Sequence, residues 1–240
     1  MAHHAQQRSA PVPPKRIFRF GLLTTAALGA VATAAGAAQA VSLGNGFATD
    51  SSGIAVANES TLALSNPHDQ SAFKDSFTID QFGGVFAATV RNEATAESVS
   101  CSADSPCRAV SLSFQIVTMA GTDIHLNAVN LSNATNVHCD GCQTVAGAYQ
   151  FVVDTPYAFK LSSAAEAQLA AIHKQLNALS DGKLSVADVQ AKADALAVQV
   201  AAILKNAAAT APEQGGPVVH PLTSSGAGPM VKVYRDFQQH

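Results

Sequence analysis

Tryptophan is absent from this chain, and only 6 % of its 240 residues are aromatic. Charged residues are also scarce, at 13 %. A core made from such a sequence has to be assembled from small and aliphatic side chains, and abundant alanine favours closely packed helices, because alanine has no propensity cost in a helix. No Gly-rich phosphate loop, serine-nucleophile elbow or calcium-loop ligand series occurs. His-Glu-x-x-His, the zincin signature of two histidines one helical turn apart with a glutamate base, is missing as well. Asp181-Gly182 therefore reads as a turn. The chain is read as leaning away from an enzyme, with no catalytic residue assigned.

The N-terminal forty residues contain no acid. Arg8, Lys15, Arg16 and Arg19 precede a charge-free run from Phe20 to Ala38 that ends in Ala38-Gln39-Ala40, the small-x-small pattern of an export signal. The expected mature start is Val41, and no cysteine follows the run to carry a lipid. The run is long enough to span a bilayer, but it is mostly Ala, Gly and Thr and so is a weak stop-transfer element. Membrane attachment is thus expected only through the leader, if it is retained. His3 and His4 fall in the leader and are not read as metal ligands. Without residues 1–40, ten basic residues face seventeen acidic ones, a net charge of −7. Such a surface repels phosphate backbones and excludes nucleic acid as a partner. The expected location is outside the cytoplasm.

Only four cysteines are present, in two pairs, Cys101 with Cys107 and Cys139 with Cys142. A phrase recurs after each pair. Cys107, Val110, Phe114, Gln115 and Val117 are repeated at one offset by Cys142, Val145, Tyr149, Gln150 and Val152. Upstream, Asn92-Glu93-Ala94-Thr95 is echoed by Asn133-Ala134-Thr135. Each unit reads as an extended lead-in, a cysteine turn and a helix. Val110, Phe114 and Val117 fall on one helical face, as do Val145, Tyr149 and Val152. Ser105-Pro106 and Asp140 sit where helix caps belong. Val110, Leu112, Phe114 and Ile116 also alternate as a strand would, but Gly147 interrupts that pattern in the second copy.

Three chemistries are open to these cysteines. An exported setting and an even, paired count favour two disulfides. Local pairing, Cys101–Cys107 and Cys139–Cys142, gives each unit its own link, although loop entropy alone, about 2 kcal/mol for a short loop and about 4 for a long one, would prefer cross-pairing. Cys139-Asp140-Gly141-Cys142 at a helix N-terminus would instead suit thiol–disulfide exchange. All four thiolates, Cys101, Cys107, Cys139 and Cys142, with His138 as a substitute, would suit zinc.

Elsewhere, Ile54–Ala57 and Leu62–Leu64 read as short strands separated by Asn58–Thr61, and Asn66–Asp69 reads as a turn. Leu169, Ile172, Leu176 and Leu179 are followed by Val186, Val189, Ala193, Leu196, Val200 and Ile203, all at helical spacing. Capping-box-like starts at Ser163 and Ser185 complete an antiparallel helical hairpin. His125 and His173 are isolated, and His173 reads as a surface residue. Gln115 and Gln150 are expected to bond to each other or to backbone across a helix pair. Met230–Tyr234 is a short alternating patch in a tail rich in Pro and Gly.

With these units in view, the chain resembles a group of secreted actinobacterial proteins of uncharacterised activity. They carry two cysteine-pair blocks, a Thr-Val-Ala-x-Ala-Tyr/Phe-Gln-like phrase and a charged helical tail. The matching residues are Cys101, Cys107, Cys139, Cys142, Val110, Gln115, Val145, Tyr149 and Gln150, within residues 54–205. The first pair departs from the pattern, with five intervening residues in place of two. Some members are labelled peptide zinc metalloproteases, which implies zinc or an association with such enzymes, yet this chain lacks the required histidines.

The expected build is α+β. It comprises a signal peptide (1–40), a duplicated cysteine-pair domain with short N-terminal strands (41–160), a helical hairpin (161–208) and a disordered tail (209–240). The expected function is a secreted, disulfide-stabilised structural or binding module for a protein or cell-envelope partner, without a cofactor. The alternative is an extracytoplasmic thiol–disulfide or zinc-binding protein.

Overall fold

The computed structural model describes residues 53–210 and 229–240, together with the backbone of 42–43. The segment read as a signal peptide, residues 1–40, lies outside the described residues. Among the described residues, eight strands and two α-helices follow in order: β1 (Ser42–Leu43), β2 (Ile54–Ser65), β3 (Ser71–Gly84), β4 (Ala87–Val99), β5 (Arg108–Ala120), β6 (His125–Val137), β7 (Gln143–Thr155), α1 (Ser163–Asn177), α2 (Val186–Ala209) and β8 (Met230–Gln239). One sheet has the order β1-β3-β5-β7-β8 and the other β2-β4-β6. All neighbours are parallel except β7 and β8. The chain alternates between the sheets, so β2–β3, β4–β5 and β6–β7 are three successive windings of a two-sided parallel coil.

This architecture corrects the α+β reading with its strand–turn–helix units and dominant helical hairpin. The segments after Cys107 and Cys142 are the strands β5 and β7, and Ser105 and Asp140 cap no helix. The physical reason is burial on both faces: nearly every residue of β5 and β7 is buried. A parallel strand covered on both sides loses the alternation that would identify it. Val110 stands beside Val145, Phe114 beside Tyr149 and Gln115 beside Gln150, so the offset between the recurring phrases equals one winding. Asn92 stands beside Asn130, and the residue beside Asn133 is Thr95.

Two different layers hold the coil together. Between the sheets lies a cluster of alanines, Ala63, Ala94, Ala96, Ala109, Ala134, Ala146 and Ala148. Polar side chains run through the same layer. Ser65 Oγ meets Ser98 Oγ at 2.8 Å, and Ser98 Oγ meets Thr144 Oγ1 at 2.7 Å. Asn92 donates to Asn130 Oδ1 at 2.9 Å and accepts from Ser113 Oγ at 2.6 Å. Gln150 donates to Gln115 Oε1 at 2.9 Å, across two strands. Much of the alanine expected in helices thus goes to the inter-sheet layer, where a methyl group fills the gap and short polar groups pair with their neighbours one winding away.

The opposite face of the five-stranded sheet carries the large side chains Phe77, Ile79, Phe114, Ile116, Tyr149 and Phe151, which pack against α1 and α2 through Leu169, Leu176, Leu196 and Val200. Ser162 Oγ accepts from the Ala165 amide and Ser185 Oγ from the Asp188 amide, fixing the two helix starts. The cap of α1 is thus Ser162, one residue before the expected Ser163. His173 is buried in this layer, with Nε2 3.2 Å from Asp75 Oδ2 and its ring 5.3 Å from that of Phe77. It is not the surface residue its sequence setting suggested.

Residues 230–239, part of the segment read as a disordered tail, form β8, antiparallel to β7. Gly147 admits this strand closely, since a Cβ there would lie 2.9 Å from the Phe237 ring. The inward side chains of β8 also cover the edge of β6: Asp236 Oδ2 accepts from the Ser132 amide at 2.7 Å and Gln238 Oε1 from the Ala134 amide at 3.4 Å. One end of the parallel stack is therefore closed by a strand of opposite direction.

Candidate functional site

The four cysteines meet at one corner of the coil, where the second and third windings turn from the three-stranded to the five-stranded sheet. Disulfides join Cys101 to Cys107 and Cys139 to Cys142. The two bridges form a single cluster in which Cys101, Cys107 and Cys142 are buried and Cys139 is half-buried. The Sγ atoms of Cys101, Cys139 and Cys142 all lie within 4.8 Å of one another. Backbone bonds lock the corners together: the Asp140 amide donates to Cys101 O at 3.2 Å and the Gln143 amide to Cys107 O at 2.9 Å. The Cys107 amide also points at Cys142 Sγ, 3.3 Å away. Gly141, at φ +70°, reverses the chain between Cys139 and Cys142. A residue with a Cβ would be strained there.

The corner of the first winding has no cysteine. There Asn66 Oδ1 accepts from the amides of His68 and Asp69 at 2.9 and 3.1 Å, forming an Asx turn. Cys139-Asp140-Gly141-Cys142 lies in a loop that enters a strand. The helix N-terminus that would have lowered a thiol pKa for exchange chemistry is not there.

A second feature is the outer face of β2-β4-β6. The inner face packs on the other sheet, but no described element covers the outer one. Ile54, Val56, Leu62 and Leu64 all point outward from β2, and Val56 and Leu62 are each 57 % exposed. They continue across the sheet into Thr89, Thr95 and Glu97 of β4 and Asn127, Asn133 and Thr135 of β6. Among the described residues β2 pairs with β4 alone, so it is the edge of this sheet. Sequence reading split β2 into two strands because Asn58–Thr61 is polar. Glu59 and Thr61 in fact turn inward, where Glu59 accepts from Ser76 Oγ and Thr61 Oγ1 meets Ser111 Oγ at 2.6 Å. His125 lies exposed on the same outer face.

A third feature went unnoticed in the sequence. A groove of about 580 Å³ lies between α2 and β8, lined in part by Tyr149, Asp194, Val198, Lys205, Val233 and Arg235. Arg235 grips Asp194 with two nitrogens, at 2.5 and 2.8 Å, and the buried Tyr149 hydroxyl donates to Asp194 Oδ1 at 2.9 Å. Burial, and then the Asp194 carboxylate, push the Tyr149 phenol well above its ordinary range. The hydrogen bond to Asp194 raises the Arg235 pKa. This arrangement ties the long helix to β8. The only signal available in the sequence was the repeat that carries Tyr149.

No family model, curated protein or solved structure matches the chain. Among the described residues, no helix is long and apolar enough to cross a membrane.

Proposed function

We propose that this chain is an extracytoplasmic, non-catalytic binding module that docks a protein partner on the outer edge of β2. One observation carries the reading. The helices cover the outer face of the five-stranded sheet, whereas four large apolar side chains stand exposed on the edge strand of the other sheet. Contiguous exposed apolar surface marks interaction sites, and an edge strand offers a template to which an extended segment can add. The partner is accordingly a protein segment with alternating apolar side chains, able to continue the row made by Ile54, Val56, Leu62 and Leu64. The two disulfides and the export-type N-terminus support a location outside the cytoplasm. The bridges serve this module as braces at the corner that aligns its windings.

A photoreactive residue placed at Leu62 tests this in whole cells, with the same residue at Val198, an exposed position on α2, as the comparison. The expected result is one protein adduct from position 62, lost when Leu64 is also changed to Lys and absent from position 198. Equal adducts from both positions, or none from position 62, overturn the reading.

A further inference from the structure

We propose that the four-sulfur corner is a zinc tetrathiolate site in the reduced chain, so that one set of cysteines supports two alternative forms of the same fold. The inference goes beyond the docking reading and rests on different residues. A tetrahedral site with zinc–sulfur bonds of about 2.3 Å places its sulfurs about 3.8 Å apart. Cys101, Cys139 and Cys142 already hold their sulfurs within 4.8 Å of one another; the fourth, Cys107 Sγ, is bonded to Cys101 Sγ, lies outside that set of three, and has to rotate inward once the bridge opens. Cα separations of 5.9 and 5.8 Å within the pairs leave room for bonded sulfurs to part by side-chain rotation alone.

Two further observations favour a thiolate ligand set. The Cys107 amide aimed at Cys142 Sγ is a donor able to neutralise sulfur charge. The left-handed Gly141 turns the chain tightly between Cys139 and Cys142, the spacing of a two-cysteine ligand pair. The burial of Cys101, Cys107 and Cys142 keeps water from competing, and half-buried Cys139 provides the entry side. His138 sits outside the sulfur cluster and is not needed as a ligand.

The chemistry balances with a dithiol or phosphine reductant. Each disulfide takes up two electrons and two protons to give two thiols, so four electrons and four protons open both bridges. Zinc(II) then binds four thiolates and releases four protons, with no further redox change.

The test uses the full chain, reduced anaerobically with a phosphine in the presence of zinc chloride and then desalted. The expected result is one zinc per chain, with all four cysteines protected from iodoacetamide until a chelator is added. Cobalt(II) in place of zinc should give the visible bands of a tetrahedral tetrathiolate, lost in the Cys101→Ser/Cys107→Ser variant. Because that variant could lose its fold, the alkylation rates of the unmutated chain decide independently. Equal alkylation of the four cysteines with and without zinc, or a cobalt spectrum lacking thiolate charge transfer, overturns the proposal.

Discussion

Replacing Asn92 by Ala tests whether the polar layer between the sheets holds the coil in register. Asn92 is fully buried. Its amide donates to Asn130 Oδ1 at 2.9 Å and to Ser113 O at 3.3 Å, and its oxygen accepts from Ser113 Oγ at 2.6 Å. Truncation leaves the Ser113 hydroxyl and the Asn130 oxygen without these partners. A buried polar group left unpaired costs about 1–3 kcal/mol. Asn130 is only half-buried and regains part of its loss from water, so the expected total is about 3 kcal/mol. For a chain of this size that corresponds to a fall in Tm of about 6–12 °C. Asn133→Ala is the matched control. Asn133 is exposed on β6 beside Thr95, and its loss should change stability by less than about 0.5 kcal/mol. Urea and thermal unfolding followed by far-UV circular dichroism measure both. A cycle with Ser113→Ala should give a coupling of at least about 0.5 kcal/mol, as expected of groups in contact. A loss below about 1 kcal/mol for Asn92→Ala, or an equal loss for Asn133→Ala, would refute the reasoning.

Two pH-dependent outcomes follow from the same structure. The Tyr149 phenol titrates above its ordinary value of 10.0, so above pH 10 the unfolded chain releases this proton while the folded chain keeps it. Stability should therefore fall as pH rises from 10, and Tyr149→Phe should flatten that fall in a urea series while costing about 1 kcal/mol at pH 7 through the lost bond to Asp194. The Asp80 carboxyl is raised from 3.8, first by burial and then by the charge of Glu59. The folded chain binds the extra proton above pH 3.8, so stability falls as pH rises through the raised value. Asp80→Asn should then raise Tm at pH 7, with the gain shrinking as pH falls through the raised value and gone below pH 3.8; a variant less stable than the parent at pH 7 would contradict this.

Which parts of this fold were legible depends on how many faces of each segment are buried. α1 and α2 bury one face each, so Leu169, Ile172 and Leu176, and later Val189, Ala193 and Leu196, mark their period plainly. β5 buries both faces. Its apolar side, Val110, Leu112, Phe114 and Ile116, meets the helices, and its other side, Ser111, Ser113 and Gln115, is polar yet hidden in the inter-sheet layer. Buried polar residues imitate a solvated helical face, which is why the cysteine units read as helical. The cysteine offset was visible because Cys107 and Cys142 occupy the same corner one winding apart. The asparagine echo misled because identity drew Asn92 to Asn133, whereas backbone pairing puts it beside Asn130. His173 looked exposed among Ala and Lys because its partners, Asp75 and Phe77, come from a strand about a hundred residues earlier.

The closing strand β8 also sets the timetable of folding. Synthesis runs from the N-terminus, so β7 and the amides of Ser132 and Ala134 wait for residues 230–239 to emerge before they are covered. Until then the growing molecule carries a sticky parallel border of the kind that recruits neighbouring chains into aggregates. A stop codon just ahead of Met230 would leave every winding intact and still yield a protein prone to clump.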